Sequence, residues 1–302
     1  MSRPRRYLVT GREGQVVQSL LECSAGRGDL NLIAIGRPDL DLARPETLAA
    51  VIDDVKPELI ISAAAFTAVD QAEIDEAMAL AVNAAGPGEL AGLAALRGIP
   101  IVHLSTDYVF DGSKTNPYAE SDPVSPLGAY GRTKLEGERR IEAATDNVAI
   151  LRTAWIYSPF GKNFAKTMLR VAQMRDSITV VDDQVGNPTS ALDIADTILT
   201  VADNLLTRND PALRGIFHMT GTGEASWADF AREIFAVSSS IGGPSAEVVS
   251  IPTSAYPTPA KRPANTRLDC AKLEHTHGVR LPDWRQSTRN IIERLVKAGS
   301  YS

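Results

Sequence analysis

Short apolar runs alternate with segments of helical spacing through the first half of the chain. The apolar runs cover residues 7–10, 32–35, 59–63, 101–104 and 148–153. Helical spacing is clearest at 16–21, 45–55, 135–144 and 74–96, the last with an expected Gly-Pro-Gly interruption at 86–88. Strands that alternate with helices build βαβ units, whose strands pair in a parallel sheet with helices on its faces. The sequence therefore predicts an α/β fold with a doubly wound parallel sheet, whose ligands lie at the carboxyl ends of the strands.

The pattern becomes irregular after about residue 155. Prolines are frequent there, and long loops separate helical segments at 163–175, 191–206 and 226–237. We expect residues 1–155 to form the sheet domain, with later segments returning to the sheet. Residues 156–302 are expected to form mainly a smaller C-terminal lobe that binds a substrate.

Charge and cysteine content narrow the classes of partner. The formal net charge of −6 argues against a nucleic acid or an anionic membrane, since either requires a basic face. Two cysteines provide neither a disulfide framework nor a cysteine-rich metal site. The basic start lacks the apolar segment of a secretion signal, and no run approaches the ~18 apolar residues of a membrane span. We therefore expect a cytoplasmic protein.

A glycine loop follows the first strand and opens a helix. Gly11 permits a tight turn, and Gly14 lets the backbone of Gln15 and Val16 approach a phosphate at the helix N-terminus. Val17 stands where a third glycine often serves helix–strand packing. In this position the loop predicts a Rossmann-like site for a dinucleotide.

The end of the second strand suggests which nicotinamide cofactor binds. Arg37 stands where sites that prefer NAD carry an acidic residue, and an arginine can pair with the 2′-phosphate of NADPH. A solvated arginine is the alternative interpretation. Asp41 and Leu42 follow closely and are candidates to meet the adenine. The prediction is NADPH, with NADH as the alternative.

Tyr130 and Lys134 have a spacing that places both on one face of a helix. A nearby ammonium favours tyrosinate, so Lys134 is expected to lower the pKa of Tyr130 from about 10 and make the phenol a general acid. Thr106 lies just past the fourth strand, where its hydroxyl can bond the same substrate oxygen. Local backbone capping is the alternative role for Thr106.

Across nearly its whole length the chain resembles the dTDP-4-dehydrorhamnose reductase family of extended short-chain dehydrogenases/reductases. The early motifs are typical of the superfamily, whereas the later combination is more specific. The segments that carry the resemblance are 11–15, 63–73, 105–110, 130–134, 151–157, 163–169, 183–189, 256–265 and 281–284.

The resemblance implies reduction of the 4-keto group of dTDP-6-deoxy-L-lyxo-4-hexulose to give dTDP-L-rhamnose. It implies that Tyr130 protonates the sugar oxygen, that Thr106 orients it, and that Lys134 also holds the nicotinamide ribose. Cofactor contacts are implied at Ala63, Ala64 and Ala65. Substrate contacts are implied at Val69, Asp107, Tyr108, Trp155, Asn163, Phe164 and Arg262.

The chain departs from the family at Val17, at Ser62, and at two positions that bear on assembly. Some members form a Mg²⁺-bridged dimer through glutamates, and the matching residues here are Ser19 and Leu192. Neither suits an ion that prefers hard oxygen ligands. We expect no metal site and no Mg²⁺-bridged dimer, but a monomer or a weak homodimer.

Three other functions share this fold. The first is a nucleotide-sugar 4,6-dehydratase or an epimerase. The dehydratases carry a second carboxylate directly after the position of Asp107, where this chain has Tyr108, which argues against elimination chemistry. A reductase of another dTDP-4-keto-deoxysugar is a nearer alternative. The third is a non-catalytic, NADP-binding regulatory subunit, against which the joint presence of Thr106, Tyr130 and Lys134 argues.

Overall fold

The computed structural model describes residues 3–301. Within this range six strands form the central sheet: β1 (Arg5–Thr10), β2 (Leu30–Ile35), β3 (Leu59–Ser62), β4 (Ile101–Thr106), β5 (Val148–Thr153) and β10 (Gly215–His218). Their order in the sheet is β2-β1-β3-β4-β5-β10, and every neighbouring pair is parallel. The predicted Rossmann-like α/β fold is confirmed.

The remaining strands are short and lie outside the central sheet. They are β6 (Ile156–Tyr157), β7 (Ser177–Val181), β8 (Val185–Gly186), β9 (Thr189–Ser190), β11 (Ala225–Ser226) and β12 (Glu247–Ile251). They form three two-stranded pairs, of which β7 with β12 and β6 with β9 are parallel and β8 with β11 is antiparallel.

Helices cover both faces of the central sheet. They are α1 (Gln15–Ser24), α2 (Leu48–Val55), α3 (Val69–Ala72), α4 (Glu76–Leu80), α5 (Gly86–Ala95), α6 (Ala129–Ala144), α7 (Phe164–Ala172), α8 (Ala191–Thr207), α9 (Trp227–Ser240), α10 (Ala271–His277) and α11 (Trp284–Ala298). One face packs its apolar residues against α1 and α8, and the other packs them against α2, α5 and α6. This double cover explains why β3, β4 and β5 are buried along their whole length.

The strand order reverses between β1 and β3, because β2 lies outside β1 while β3 and β4 continue on its other side. In open α/β sheets such a switch point leaves a crevice at the carboxyl ends of the strands. The glycine loop after β1 and the alanine run after β3 flank that crevice. The topology therefore positions the predicted cofactor residues together.

Two features differ from the sequence-based expectations. The Gly-Pro-Gly segment at 86–88 does not interrupt the helix, because a π-helical turn at Ala81–Ala85 leads into α5 and the proline falls in its first turn. The sequence did not predict α11, which fills the centre of the second lobe through Trp284 and Ile292.

The second lobe is built mainly from α7, α9, α11 and the small β7–β12 sheet. Its apolar cluster includes Tyr157, Phe230 and Trp284, all nearly inaccessible. The chain nevertheless returns to the first lobe, where α8 packs on α1 and β10 pairs with β5. Over the described residues, no helix combines the length and apolar character needed to cross a membrane.

Candidate active site

The glycine loop has the geometry of a phosphate cradle. Gly11 has φ +103°, in the left-handed region that favours glycine, and Gly14 is the N-cap of α1 without a side-chain acceptor. The first turn of α1 contains no acidic residue, so its free N–H groups and positive end can face an anion. These residues fit the pyrophosphate of a dinucleotide.

The loop after β3 is fixed to the end of β1. The Thr10 hydroxyl accepts hydrogen bonds from the backbone N–H groups of Ala63 and Ala64, both at 3.0 Å. Ala63, Ala64 and Ala65 are half-buried, with their surfaces along the crevice edge. Thr10 is a positioning residue that the sequence analysis did not identify.

The residues expected near the adenosine differ in how accessible they are. Arg37 is exposed just past β2, and among residues 3–301 its side chain has no hydrogen-bond partner. Arg12 lies at the same edge and pairs with Asp39 at 2.5 Å. The Asp41 carboxylate caps the backbone of Ala43 and pairs with Arg44.

Leu42 is only 4% exposed as a whole residue and packs in the core, with its carbonyl oxygen facing Gly86. Little of its surface is left to meet an adenine.

Thr106 and Asp107 form a buried polar pair at the end of β4. The Thr106 hydroxyl donates to Asp107 Oδ1 at 2.9 Å and accepts from the Tyr108 backbone N–H at 3.2 Å. Asp107 Oδ2 is buried without a hydrogen-bond partner among the described residues. Burial raises the pKa of Asp107 to about 7, although the hydrogen bond from Thr106 opposes the rise. Such an orphaned oxygen suits a hydroxyl donor on a ligand.

Tyr130 faces the same end of β4 from the first turn of α6. Its phenol interacts with the Thr106 side chain, and its ring lies edge-on to Tyr108 with centroids 5.8 Å apart. Close packing of α6 is possible because residue 131 is glycine. A Cβ there would lie 2.2 Å from the Tyr108 carbonyl oxygen. The helix thereby brings the phenol to Thr106.

The electrostatics of Tyr130 differ from the expectation. Desolvation raises its pKa to about 12, with the Thr106 hydrogen bond opposing and the Asp107 charge reinforcing the rise. Lys134 is not among the causes of this shift, and its ammonium donates to the Leu104 carbonyl at 2.6 Å. The phenol is therefore neutral near pH 7, which is the form that can donate a proton.

Lys134 is itself only 2% exposed. Burial lowers the pKa of its ammonium to about 8, and the nearby Glu138 carboxylate opposes that change. Its Nζ also lies 3.3 Å from His103 Nε2. The ammonium of Lys134 therefore loses its proton only slightly above neutral pH.

A buried ion pair between β5 and α6 adjoins the end of β4. Arg152 on β5 donates to both carboxylate oxygens of Glu138, at 3.0 and 2.7 Å, and the Ser105 hydroxyl also donates to Glu138. Removing one partner of such a pair leaves an uncompensated buried charge, which costs about 3–5 kcal/mol. The sequence analysis missed this network.

Trp155 lies just past the end of β5. It has φ +44°, an unusual conformation for a bulky residue, and its indole stacks on Trp227 with centroids 3.6 Å apart. A Cβ on Gly186 would collide with both Trp155 and the Thr266 hydroxyl. Because Thr266 also adjoins Asp107, Trp155 and the Thr106–Asp107 pair belong to one site.

Asn163 and Phe164 have structural partners. The Asn163 amide donates to the backbone oxygens of Ser158 and Phe160, and its oxygen caps α7 at the Lys166 N–H. Phe164 packs against Trp227 and Phe230. These contacts leave the Asn163 side chain committed to its own loop, so a ligand contact there would compete with the cap.

Arg262 lies near Tyr108, on the loop that follows β12. Its guanidinium donates to Asp70 Oδ2 at 2.9 Å and to the Thr258 hydroxyl, and Asp70 also accepts from the Ala260 N–H. The loop that carries Arg262 is thereby fixed to α3, where Val69 is half-buried. The Arg262 guanidinium is therefore held in an ion pair with Asp70.

Among residues 3–301, no three His, Cys, Asp or Glu side chains lie close enough to hold a metal ion. Ser19 is buried and its hydroxyl donates to the Gln15 carbonyl, whereas Leu192 lies at the start of α8. Cys23 and Cys270 are both free thiols.

Known proteins resemble the chain over nearly its whole length. The profile of the RmlD substrate-binding domain matches residues 5–297. A dTDP-4-dehydrorhamnose reductase of Sinorhizobium fredii is 49% identical, covering 97% of this chain and 99% of the relative.

Two solved structures have a TM-score of 0.89 and cover 96% of this chain and 99% of their own. One is a dTDP-4-dehydrorhamnose reductase from Clostridium acetobutylicum at 38% identity. The other, from Bacillus anthracis at 30% identity, is in complex with NADP.

Proposed function

The chain belongs to the dTDP-4-dehydrorhamnose reductase family, and from this premise we propose that it is an NADPH-dependent oxidoreductase that makes dTDP-L-rhamnose. The substrate is the dTDP-linked 4-keto-6-deoxy sugar dTDP-6-deoxy-L-lyxo-4-hexulose, and its 4-keto group becomes a hydroxyl. NADPH, when bound, supplies the hydride.

The contact between the Tyr130 phenol and Thr106 carries the mechanistic proposal. A keto oxygen beside these two hydroxyls would accept a hydrogen bond from Tyr130, and a second from Thr106 once the Thr106 hydroxyl turns its proton from Asp107 to the ligand. These bonds would polarise the carbonyl group. As negative charge develops on that oxygen, Tyr130 donates its proton. The neutral state of the phenol at pH 7 supports this role for Tyr130, and the position of Thr106 at the end of β4 supports its role in orienting the oxygen.

The cofactor would be held by the switch-point crevice. The N–H groups at the start of α1 would bind the pyrophosphate beside Gly11 and Gly14, and the alanine run at 63–65 would lie along the cofactor. Lys134 would bond the nicotinamide ribose through its ammonium. The exposed guanidinium of Arg37, with Arg12 close by, supports a preference for the extra phosphate of NADPH over NADH.

The substrate would occupy the space between the two lobes. Asp107 would accept a sugar hydroxyl through its unpartnered oxygen, while the Trp155 ring would pack on the sugar face. Tyr108 and Val69 would line the same pocket. Arg262 would contribute positive charge toward the diphosphate. Its guanidinium would then divide its N–H donors between Asp70 and the phosphate oxygens.

The test measures the loss of NADPH absorbance with the keto sugar as substrate, for the native protein and for Tyr130→Phe. The keto sugar is prepared in situ by the dehydratase and the epimerase that act before this step. We expect the mutant to lose about 10²–10⁴-fold in turnover, since it cannot donate the proton, while NADPH binding persists. Turnover that survives in Tyr130→Phe would contradict the mechanism but not the substrate. An inactive native protein that still binds NADPH would point to another keto sugar or to a regulatory subunit.

We also propose that the protein works in the cytoplasm as a monomer or weak homodimer without a Mg²⁺ bridge. The absence of carboxylates at Ser19 and Leu192 supports this assembly. Gel filtration should give the same elution volume with and without EDTA, and dimer loss on chelation would contradict the proposal.

A further inference from the structure

A buried chain of three polar side chains leads from Lys134 into the sheet. Lys134 Nζ lies 3.3 Å from His103 Nε2, and His103 Nδ1 lies 3.0 Å from the Ser62 hydroxyl. Lys134 is 2% exposed, His103 0% and Ser62 1%. The three residues sit on α6, β4 and β3, and the β3–β4 register pairs Ser62 directly with His103.

The proton positions along this chain follow from the chemistry of the groups. An ammonium can only donate hydrogen bonds, so His103 Nε2 must be the unprotonated acceptor. Nδ1 then carries the imidazole proton and donates to Ser62. A charged imidazole is excluded here, because it would place two buried cations in contact, and burial together with Lys134 holds the pKa of His103 well below its usual value.

The contacts of Lys134 also fix the direction of its remaining bond. Its ammonium has three protons, of which one goes to the Leu104 carbonyl and one to His103. Within residues 3–301 the third has no acceptor. The two acceptors both lie on β4, so they anchor the ammonium at that strand, beside the crevice where the cofactor is expected.

We propose that His103 is a positioning residue for Lys134, accepting one proton of the ammonium so that another is presented to the ribose hydroxyls of a nicotinamide dinucleotide. The inference deepens the proposed function, on which it rests. It assigns a role to a histidine that the sequence alone marks only as part of an apolar strand.

Loss of the histidine acceptor has a consequence for pH dependence. The charged and titratable groups around Lys134 are His103 on β4, Glu138 and Tyr130 on α6, and Arg152 on β5, which neutralises Glu138. Removing a hydrogen bond to the charged form favours the neutral amine. As the pH is raised, the loss of NADPH affinity should therefore begin at a lower pH in a variant without the acceptor than in the native protein.

Two substitutions distinguish the hydrogen bond at Nε2 of the imidazole from the hydrogen bond at Nδ1. His103→Gln reaches the position of Nε2 with an amide oxygen that can accept from Lys134. His103→Asn reaches only the position of Nδ1 and keeps the bond to Ser62. We expect His103→Asn to weaken NADPH binding about tenfold at pH 7.5, the size expected for one hydrogen bond to a charged group, and His103→Gln to recover most of the affinity.

The readout is the NADPH dissociation constant from nucleotide fluorescence between pH 6 and 9, which needs no sugar substrate. Its outcome is therefore independent of whether the proposed substrate is correct. Equal affinities of the Asn and Gln variants, or an unchanged pH profile in His103→Asn, would overturn the proposal. With the sugar present, KM for NADPH should change more than kcat.

A measurement on the native protein avoids any loss of folding in the variants. Nitrogen-15 NMR of the four histidines reports which ring nitrogen carries the proton, and the His103 signal is the one missing in His103→Gln. We expect His103 to be the neutral Nδ1–H tautomer. An Nε2–H tautomer or a charged ring would refute the proposed hydrogen bond.

Discussion

Asp107 is a carboxylate whose environment opposes its charge. Its folded-state pKa of about 7 lies above the value of about 3.9 expected in an unfolded chain. A group whose pKa is raised on folding costs stability as the pH increases between these two values. We therefore expect the stability advantage of Asp107→Asn over the native protein to grow by about 2 kcal/mol between roughly pH 5.5 and 8.5.

Urea unfolding at the two pH values measures this difference. Asp53→Asn is the matched control, because Asp53 lies on the surface of α2 and pairs with Arg97, which lowers its pKa. The advantage of that control should not change over the same range. A constant difference for Asp107→Asn would mean that the carboxyl group is already ionised at the lower pH. The same variant should lose turnover, since an amide oxygen accepts a weaker hydrogen bond from a sugar hydroxyl than an ionised carboxylate does.

The residues that sequence reasoning found and missed differ in what determines their role. The spacing of Tyr130 and Lys134 is local to one helix, so it is readable from the chain. The partnerships of His103 and Arg152 instead depend on strand register, which pairs His103 with Ser62 and Arg152 with Ser105. Register between distant segments has no local signal. The stack of Trp227 on Trp155 is non-local in the same way.

Among the helices, α6 depends most on close packing, since it carries Tyr130, Lys134 and Glu138 at successive turns. Gly137 faces the π-helical turn, and a Cβ there would lie 2.1 Å from the Asn83 carbonyl oxygen. Asn83 in turn bonds both Phe66 and Thr133, which connects the cofactor edge to α6. The π-helical turn therefore positions the part of α6 that carries Tyr130 and Lys134.

We expect Gly137→Ala to lower the free energy of unfolding by about 2–3 kcal/mol, since the backbone must move to admit the methyl group. Gly92→Ala on α5 is the control. No atom lies within 4 Å of its added Cβ, and alanine should stabilise that helix by about 0.5–1 kcal/mol. Denaturant unfolding measures both variants. Equal effects of the two substitutions would show that α6 can move away from Asn83 at little cost, and NADPH affinity would then be unchanged as well.

The Gly-Pro-Gly segment illustrates why element boundaries were harder to predict than element types. Glycine and proline together normally indicate a break, yet here the preceding π-helical turn accommodates the change and α5 begins at Gly86. A Cβ at Gly86 would lie 2.3 Å from the Leu42 carbonyl oxygen, so this glycine serves close packing. Packing against a distant segment determined the conformation, and the local sequence could not reveal it.

At the scale of the whole molecule, both halves of the chain contribute to the central sheet. The apolar face that α1 covers is completed by Ile194 and Ile198 of α8, by Phe217 of β10 and by Leu281. The division at residue 155 predicted from the sequence therefore cuts through one apolar core. A fragment of residues 1–155 would leave the edge of β5 that faces β10 without a partner and would expose the face that α8 covers.

We expect this fragment to lack a cooperative unfolding transition and to bind a hydrophobic dye, whereas the full chain should unfold in a single step. The physical reason is that β5 is buried along its whole length, so losing its neighbour β10 and the cover of α8 exposes apolar surface at about 25 cal/mol per Å². Circular dichroism and dye fluorescence during urea unfolding measure this. A fragment that unfolds cooperatively and binds NADPH would show that the first five strands form an autonomous domain, with the returning segments only covering its edge.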